Sequence, residues 1–283
     1  MKNKEIELQY KKKIKLINSY NKFYYDKSQP KVSDYEYDQL KKEILLLEQK
    51  YEFLNSKISP ANTVGFKPSK IFKKALHRVP MLSLANAFGK EDLINFEKRI
   101  LNFLSKNEDF QLSYSAEPKI DGISASLIYK NGEFKIGLSR GDGKEGEDIT
   151  ANLATIKDIP KKIQSKDFPK EIDIRGEVFI QNSDFENLKE KFANPRNAAS
   201  GSLRQKNPED TKKIPLKFIA YTFGYEKGLK VNNQIDFLKN LDDWGFKTNP
   251  LNKLVVGVDN LLINYSKIEK DRIKIDFDID GIV

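Results

Sequence analysis

Apolar residues recur at helical spacing over the first fifty positions. Ile6, Tyr10, Ile14 and Ile17, with Asn21 closing the row, share one face. A second stripe, Tyr37, Leu40, Ile44 and Leu47, follows Ser33 and Glu36, which have capping-box spacing. The pattern predicts two helices forming a small hairpin, with residues 24–30 between them. Residues 55–70 have no periodicity and hold two Pro and one Gly. They predict a linker, and so a helical domain over 1–68 and a larger one over 69–283. Beyond the linker, 91–104 reads as a helix. Residues 124–129 and 134–138 read as strands flanking Asn131-Gly132, a strong hairpin signal. Further strands are predicted over 172–180, 216–223 and 274–283, and helices over 184–192 and 234–244. Strands and helices in irregular order predict an α+β fold with antiparallel sheets. No internal repeat or low-complexity tract interrupts it.

Composition narrows the picture. Of 283 residues, 39% are hydrophobic, and 18 Phe and 12 Tyr supply bulk for cores, so global disorder is excluded. The longest aliphatic run is Ile44-Leu45-Leu46-Leu47, far short of a membrane span. The first residues alternate Lys and Glu without an apolar run, so no signal peptide is expected. There is no Cys, which excludes disulfides and Cys-ligated zinc in this chain and fits a cytoplasmic setting. The net charge of +9 suits a polyanionic partner but identifies none. Only 7 of the 50 basic residues are Arg. Each Arg is therefore a candidate for bidentate phosphate or carboxylate contact, which Lys cannot reproduce. The plain alternative at each site is ordinary residue usage.

Two stretches suggest nucleotide chemistry, and one misleads. Residues 141–146 match G-x-G-x-x-G, but the preceding strand belongs to the Asn131-Gly132 hairpin and no apolar helix follows. That context rejects a dinucleotide fold. The other stretch places Lys119 between Glu117 and Asp121, ahead of Gly122. A free Lys amine has a pKa of about 10.4 and needs activation to act as a nucleophile. Neighbouring acids raise that pKa. The chemistry works only if a metal ion or other cations reverse the local field, as Mg²⁺ shared between a carboxylate and a phosphate would. Standing alone, the stretch reads first as a solvated turn, since Lys-x-Asp-Gly occurs by chance in many chains.

It does not stand alone. Lys119-Ile120-Asp121-Gly122 resembles the K-x-D-G nucleophile motif of covalent nucleotidyltransferases, which form a lysyl-nucleotide phosphoramidate. Ala116-Glu117-Pro118 narrows the resemblance to NAD-dependent bacterial DNA ligases. Further stretches resemble the same family in the same order: Pro80 to Leu84, Ser139 to Gly143, Glu147 to Thr150, Arg175 to Phe179, Phe192 to Ala199, Gly201 to Gln205, and Asp278 to Val283. Four of the seven Arg fall in these stretches.

The resemblance implies a fold and a set of roles. The helical hairpin would capture the nicotinamide mononucleotide half of NAD, and an ATP-grasp-like nucleotidyltransferase domain would follow. Lys119 would attack the α-phosphorus of NAD. Asp121 and Asp280 would lie by the reacting phosphate and its metal, Mg²⁺ or Mn²⁺. Glu117, Ser83 and Leu84 would meet the adenine, Arg140 and Glu177 the ribose, and Arg196 and Arg204 phosphates. Tyr221 would line the nucleotide pocket. Tyr24, Tyr25, Asp34, Tyr37 and Asp38 would hold the nicotinamide half by stacking and charge. Many relatives carry His where Tyr25 stands; Tyr still stacks but brings no positive charge. Without the family, Tyr37 would be ordinary helix core.

The implied partner is nicked double-stranded DNA. A monomer in the cytoplasm, associated with the nucleoid and with no membrane, is expected. The family's closing strand is followed by another phosphate-contacting Lys and then by further domains, one of which binds zinc. Ending at Val283, the sequence reads as the N-terminal catalytic part of a ligase, expected to adenylate itself slowly and not to seal nicks. The alternative is an inert NAD- or DNA-binding remnant. An ATP-dependent ligase or capping enzyme is disfavoured by the hairpin at 20–38.

Overall fold

The structure, a computed structural model, describes residues 2–21, 23, 32, 34–54, 59, 72–107 and 109–283. Tyr24, Tyr25, Ser33 and all of the expected 55–70 linker but Ser59 lie outside the described residues. Along the chain run α1 (Lys2–Asn21), α2 (Asp34–Lys50), β1 (Lys74–Leu76), α3 (Lys90–Phe103), β2 (Ser113–Ala116), β3 (Pro118–Ile120), β4 (Ile123–Lys130), β5 (Glu133–Ser139) and β6 (Glu145–Glu147). Then come α4 (Thr150–Leu153), β7 (Glu171–Phe179), α5 (Asn182–Phe185), α6 (Pro195–Leu203), α7 (Pro208–Lys212), β8 (Lys217–Lys227), α8 (Gln234–Asp243), β9 (Lys253–Val256), α9 (Gly257–Asp271) and β10 (Ile279–Ile282). Among the described residues no helix is long and apolar enough to cross a membrane.

The described residues fall into two compact units: those up to Leu82 with Arg140–Asp148, and Ser83–Ser139 with Ile149–Val283. In the first unit, the apolar stripes of α1 and α2 close on each other. Tyr10, Ile14, Ile17, Leu40, Ile44 and Leu54 form the core, flanked by Ile6, Tyr20, Tyr37 and Leu47. Tyr10 buries its ring and donates its hydroxyl to Glu48 Oε1 at 2.6 Å. The short β1 pairs antiparallel with β6, Ala75 opposite Gly146. His77 N to Lys144 O and Met81 N to Gly143 O, both 2.8 Å, extend the pairing beyond the strands. The glycine-rich stretch 141–146 is thus a turn and a short strand.

The second unit is built on an antiparallel sheet of order β5-β4-β7-β8. Asn131 and Gly132 join β4 to β5 with φ of 50° and 75°, the left-handed pair that a tight hairpin turn demands. Leu127, Ile172, Ile174 and Phe218 are buried within this sheet. At one end Tyr129 meets Phe168 and Phe246 edge-on, and Trp244 meets Phe168 and Phe237. Such edge-to-face contacts suit the ring quadrupoles. Two smaller antiparallel ladders, β2–β9 and β3–β10, complete the unit.

Two expected elements differ from the observed ones, and one long helix was not expected. The helix expected over 184–192 is only α5 followed by a 3-10 turn at Glu186–Leu188. The chain must leave helical geometry by Asn194, which is extended (φ −158°, ψ 168°) because it precedes Pro195 and caps α6. The strand expected over 274–283 shrinks to β10, since Arg272–Lys274 is a 3-10 turn closing α9. The helix α9 itself was not anticipated. Its buried face is Val258, Asn264 and Ile268, while Ile263 and Tyr265 are exposed, so the apolar pattern does not report which face is inside.

Candidate active site

The site lies in the second unit, where β3 runs beside β10. Lys119 is the middle residue of β3 and stands opposite Gly281, with Ile120 opposite Ile279. The register slips between Ile279 and Gly281, so Asp280 sits in a bulge. Backbone bonds beyond the strands fix both ends. Glu117 and Val283 exchange N–H···O bonds of 2.8 Å, and Asp121 N donates to Asp278 O at 2.9 Å. Ile120, Phe179, Ile219 and Phe277 form an apolar cluster that holds the base of this ladder. Strand alternation then turns Lys119 away from the cluster that takes Ile120. Its Nζ donates to Asp280 Oδ2, and its side chain keeps 45% of its exposure. A lysine needed as a nucleophile must be reachable in this way.

Asp121 follows β3 and accepts from Arg196 Nη1. Arg196 is in the first turn of α6, a helix that starts by a local rule: Asn194 Oδ1 accepts from Asn197 N at 2.7 Å, with Pro195 at the first helical position. Gly122 is obligatory for close approach. A Cβ there would lie 2.4 Å from Val178 O and 2.8 Å from Glu177 Cγ.

Glu177 projects from β7 and is buried. Ser124 Oγ donates to its Oε2 at 2.9 Å, and the Tyr221 hydroxyl reaches the same oxygen at 3.5 Å. Burial pushes its carboxyl pKa up to about 7, against the opposing pull of Arg196, the Ser124 hydrogen bond and Lys119. Glu117 sits between β2 and β3. Its Oε1 accepts from Ser115 Oγ and Gln234 Nε2, both at 2.9 Å. Burial raises its pKa too, while these two hydrogen bonds oppose the rise.

The sequence-predicted residues separate by location. Contacts join Lys119 to Asp280, Asp121 to Arg196, and Glu177 to Tyr221. Ser83 and Leu84 lie exposed between β1 and α3, and Arg204 is exposed at the end of α6. Arg140 belongs to the first unit, where its carbonyl accepts from Gly143 N at 3.0 Å and lies 3.1 Å from His77 Nε2. Tyr37 and Asp38 are half-buried in α2, and the Tyr37 hydroxyl donates to Asn21 Oδ1 at 2.8 Å. Asp34 is the first residue of α2. Sequence reasoning assigned nothing to Ser124 or Gln234. Ser124 carried a signal only through its place two residues after Gly122 in β4, and Gln234 carried none beyond opening a helix.

For a metal, the donor set is sparse. Among the described residues no group of three His, Cys, Asp or Glu side chains could form a cage. Asp121 and Asp280 are each paired with a cation. Two carboxylates suit a Mg²⁺ that keeps its waters and binds chiefly through substrate phosphates.

A mixed fold of antiparallel sheets with flanking helices, preceded by a helical region, agrees with a nucleotidyltransferase-like fold. The family model described as NAD-dependent DNA ligase adenylation domain matches residues 69–283, and the chain belongs to that family. A second model, DNA ligase-like, N-terminal NAD+-binding domain, matches residues 3–65. Among relatives, a DNA ligase of Pelagibacter ubique (strain HTCC1062) is 64% identical over 283 residues, covering 100% of this chain and 42% of the relative. A DNA ligase of Bradyrhizobium sp. (strain ORS 278) is 42% identical over 99% of this chain and 40% of the relative. One of Parvibaculum lavamentivorans (strain DS-1 / DSM 13023 / NCIMB 13966) is 44% identical over 94% of this chain and 39% of the relative. The chain thus spans about two fifths of the length of these relatives.

Proposed function

We propose that this chain performs the adenylylation step of NAD-dependent DNA ligation. The Lys119 Nζ lone pair attacks the α-phosphorus of NAD. A P–N bond forms, the bond from that phosphorus to the bridging pyrophosphate oxygen breaks, and nicotinamide mononucleotide leaves with the electron pair. The attacking amine loses its proton to solvent. The observation that carries this reading is the reachable Lys119, held by Asp280 in the β3–β10 bulge and bordered by the Asp121–Arg196 pair.

In this reading, Asp280 orients the amine before substrate arrives, and Arg196 serves a phosphate. A divalent cation held by these carboxylates together with the substrate phosphates would weaken the hold of carboxylate on amine and favour its neutral form. Glu117, Ser83 and Leu84 serve the adenine, Arg140 and Glu177 the ribose, Tyr221 the pocket wall, and Arg204 a phosphate. A Mg²⁺ or Mn²⁺ between Asp121, Asp280 and the substrate phosphates would neutralise developing charge. Residues 1–68 form the domain for the nicotinamide half, using Tyr24, Tyr25, Asp34, Tyr37 and Asp38, and 69–283 the adenylation domain. In the whole ligase the lysyl adenylate would then be passed to a nick in duplex DNA, in the cytoplasm and by a monomer, while this chain by itself is expected not to seal it. The +9 charge supports loose, salt-sensitive DNA binding.

Intact-protein mass spectrometry tests the reading. Incubation with NAD and Mg²⁺ is expected to add one adenylate, mapped to Lys119, with release of nicotinamide mononucleotide. ATP is expected not to substitute, and deletion of residues 1–68 to abolish reaction with NAD. No adduct from NAD, or robust labelling from ATP, overturns it.

A further inference from the structure

Gln234 has no role in the catalytic reading, yet it grips that reading's base-contacting carboxylate. It is the first residue of α8, whose N-cap Asn233 accepts from Asp236 N. Its side-chain nitrogen donates to Tyr221 O at 2.7 Å and to Glu117 Oε1 at 2.9 Å. Ser115 Oγ donates to the same Oε1. Among the described residues nothing donates to Glu117 Oε2. One carboxylate oxygen is therefore pinned by two donors while the other is left as an acceptor. The pinning matters chemically because burial pushes Glu117 toward its neutral form, and these donors hold it back. An ionised carboxyl accepts hydrogen bonds only, whereas a protonated one also donates. A 6-aminopurine presents a donor at its 6-position, and a 6-oxopurine presents an acceptor.

We propose that Gln234 is a positioning residue that sets base specificity: by donating to Oε1 it keeps Glu117 an oriented acceptor, so the nucleotide taken is a 6-aminopurine and not a 6-oxopurine. The proposal rests on the adenylylation reading and adds to it the residue on which discrimination depends. Tyr221 enters through its carbonyl, which fixes the Gln234 amide so that the nitrogen, and not the oxygen, faces Glu117.

The test compares NAD with nicotinamide hypoxanthine dinucleotide, which differs at that 6-position. Covalent labelling of Lys119 is followed by intact mass for wild type, Gln234→Leu and Gln234→Glu, and the ratio of the two kcat/KM values is taken within each protein. A ratio cancels any difference in the amount of folded protein. Wild type is expected to favour NAD. Gln234→Leu removes the donor, and Gln234→Glu sets a second carboxyl against Glu117, so that the pair shares a proton. The preference for NAD is expected to fall at least about tenfold in Gln234→Glu, as for loss of one charge-assisted hydrogen bond, and less in Gln234→Leu. In Gln234→Glu the fall should deepen as pH drops, because the shared proton is then more fully bound. An unchanged ratio in both variants, with wild type labelled normally by NAD, overturns the Gln234 assignment and leaves the adenylylation reading standing. Wild type that takes no label from NAD overturns both.

Discussion

The ladder that carries Lys119 and the sheet that carries Glu177 are built to opposite ends. The β3–β10 ladder has three paired positions and a bulge, and its lysine is nearly half exposed. Strand β7 pairs with β4 over eight positions and with β8 on its other side, and Glu177 is buried between them. Backbone held by few hydrogen bonds opens at low free-energy cost, while strands paired on both sides open only near global unfolding. In the proposed reaction, an amine that must reach a phosphorus atom gains from the first setting. A carboxylate that must keep a fixed place gains from the second.

The hardest test of this contrast is at the amine. Lys119→Ala and Lys119→Arg are both expected to lose covalent labelling by NAD entirely, read by intact mass. Arg keeps the positive charge beside Asp280 but cannot become a neutral nucleophile. Labelled Lys119→Arg protein would mean that another residue reacts, and the ladder's openness would then have no chemical purpose.

The next test breaks the joint between the two regions. Gly122 links β3 to β4 while lying against Val178 and Glu177 of β7. A Cβ at 2.4 Å from a backbone oxygen has no flexible neighbour to displace. Gly122→Ala is expected to cost about 3 kcal/mol in a urea melt, the upper part of the overpacking range. A loss near zero would show that β3 slides freely over β7.

Glu177 gives a pH test of the rigid side. Its folded pKa of about 7 exceeds the ordinary 4.5, so between those values the folded protein holds a proton that the unfolded chain has released. Its stabilising contribution is full below about 4.5 and is lost as pH rises through about 7, a fall of order 1 kcal/mol per pH unit. Glu177→Gln is expected to flatten that slope in melts taken from pH 5 to 7. An unchanged slope would mean that Glu177 titrates as if solvated and that β7 opens there.

How much of this was legible in the sequence follows the same division. Local rules wrote the Asn131-Gly132 turn, the α1–α2 stripes and the K-x-D-G motif, and these could be read. The partners of Glu177 and Glu117 could not. Ser124 is 53 positions from Glu177 and Gln234 is 117 from Glu117, and only tertiary pairing brings them together. The α9 helix was hidden because a buried Asn264 and an exposed Ile263 invert the pattern that periodicity relies on. In the first unit, much of what was read lies outside the described residues.

The smallest expected effect comes from the second tie between the regions. Asp121 follows the lysine strand, and its partner Arg196 rides on α6, which packs against β4 and β7. Arg196 is placed by the start of α6, and that start depends on the Asn194 side chain accepting from Asn197 N. Asn194→Ala removes the cap, at a cost of about 1 kcal/mol. Pro195 still favours the helical φ at the first position, so the helix should fray by a turn and persist beyond it. Arg196 lies within that turn. Labelling by NAD is therefore expected to slow several-fold in Asn194→Ala, while Asn194→Ser, which keeps a capping oxygen, restores both stability and rate. If stability falls as expected but the rate does not move, Arg196 plays its proposed part without help from the cap. The Asp121–Arg196 pair would then tether β3 to the sheet without setting the geometry of the reaction.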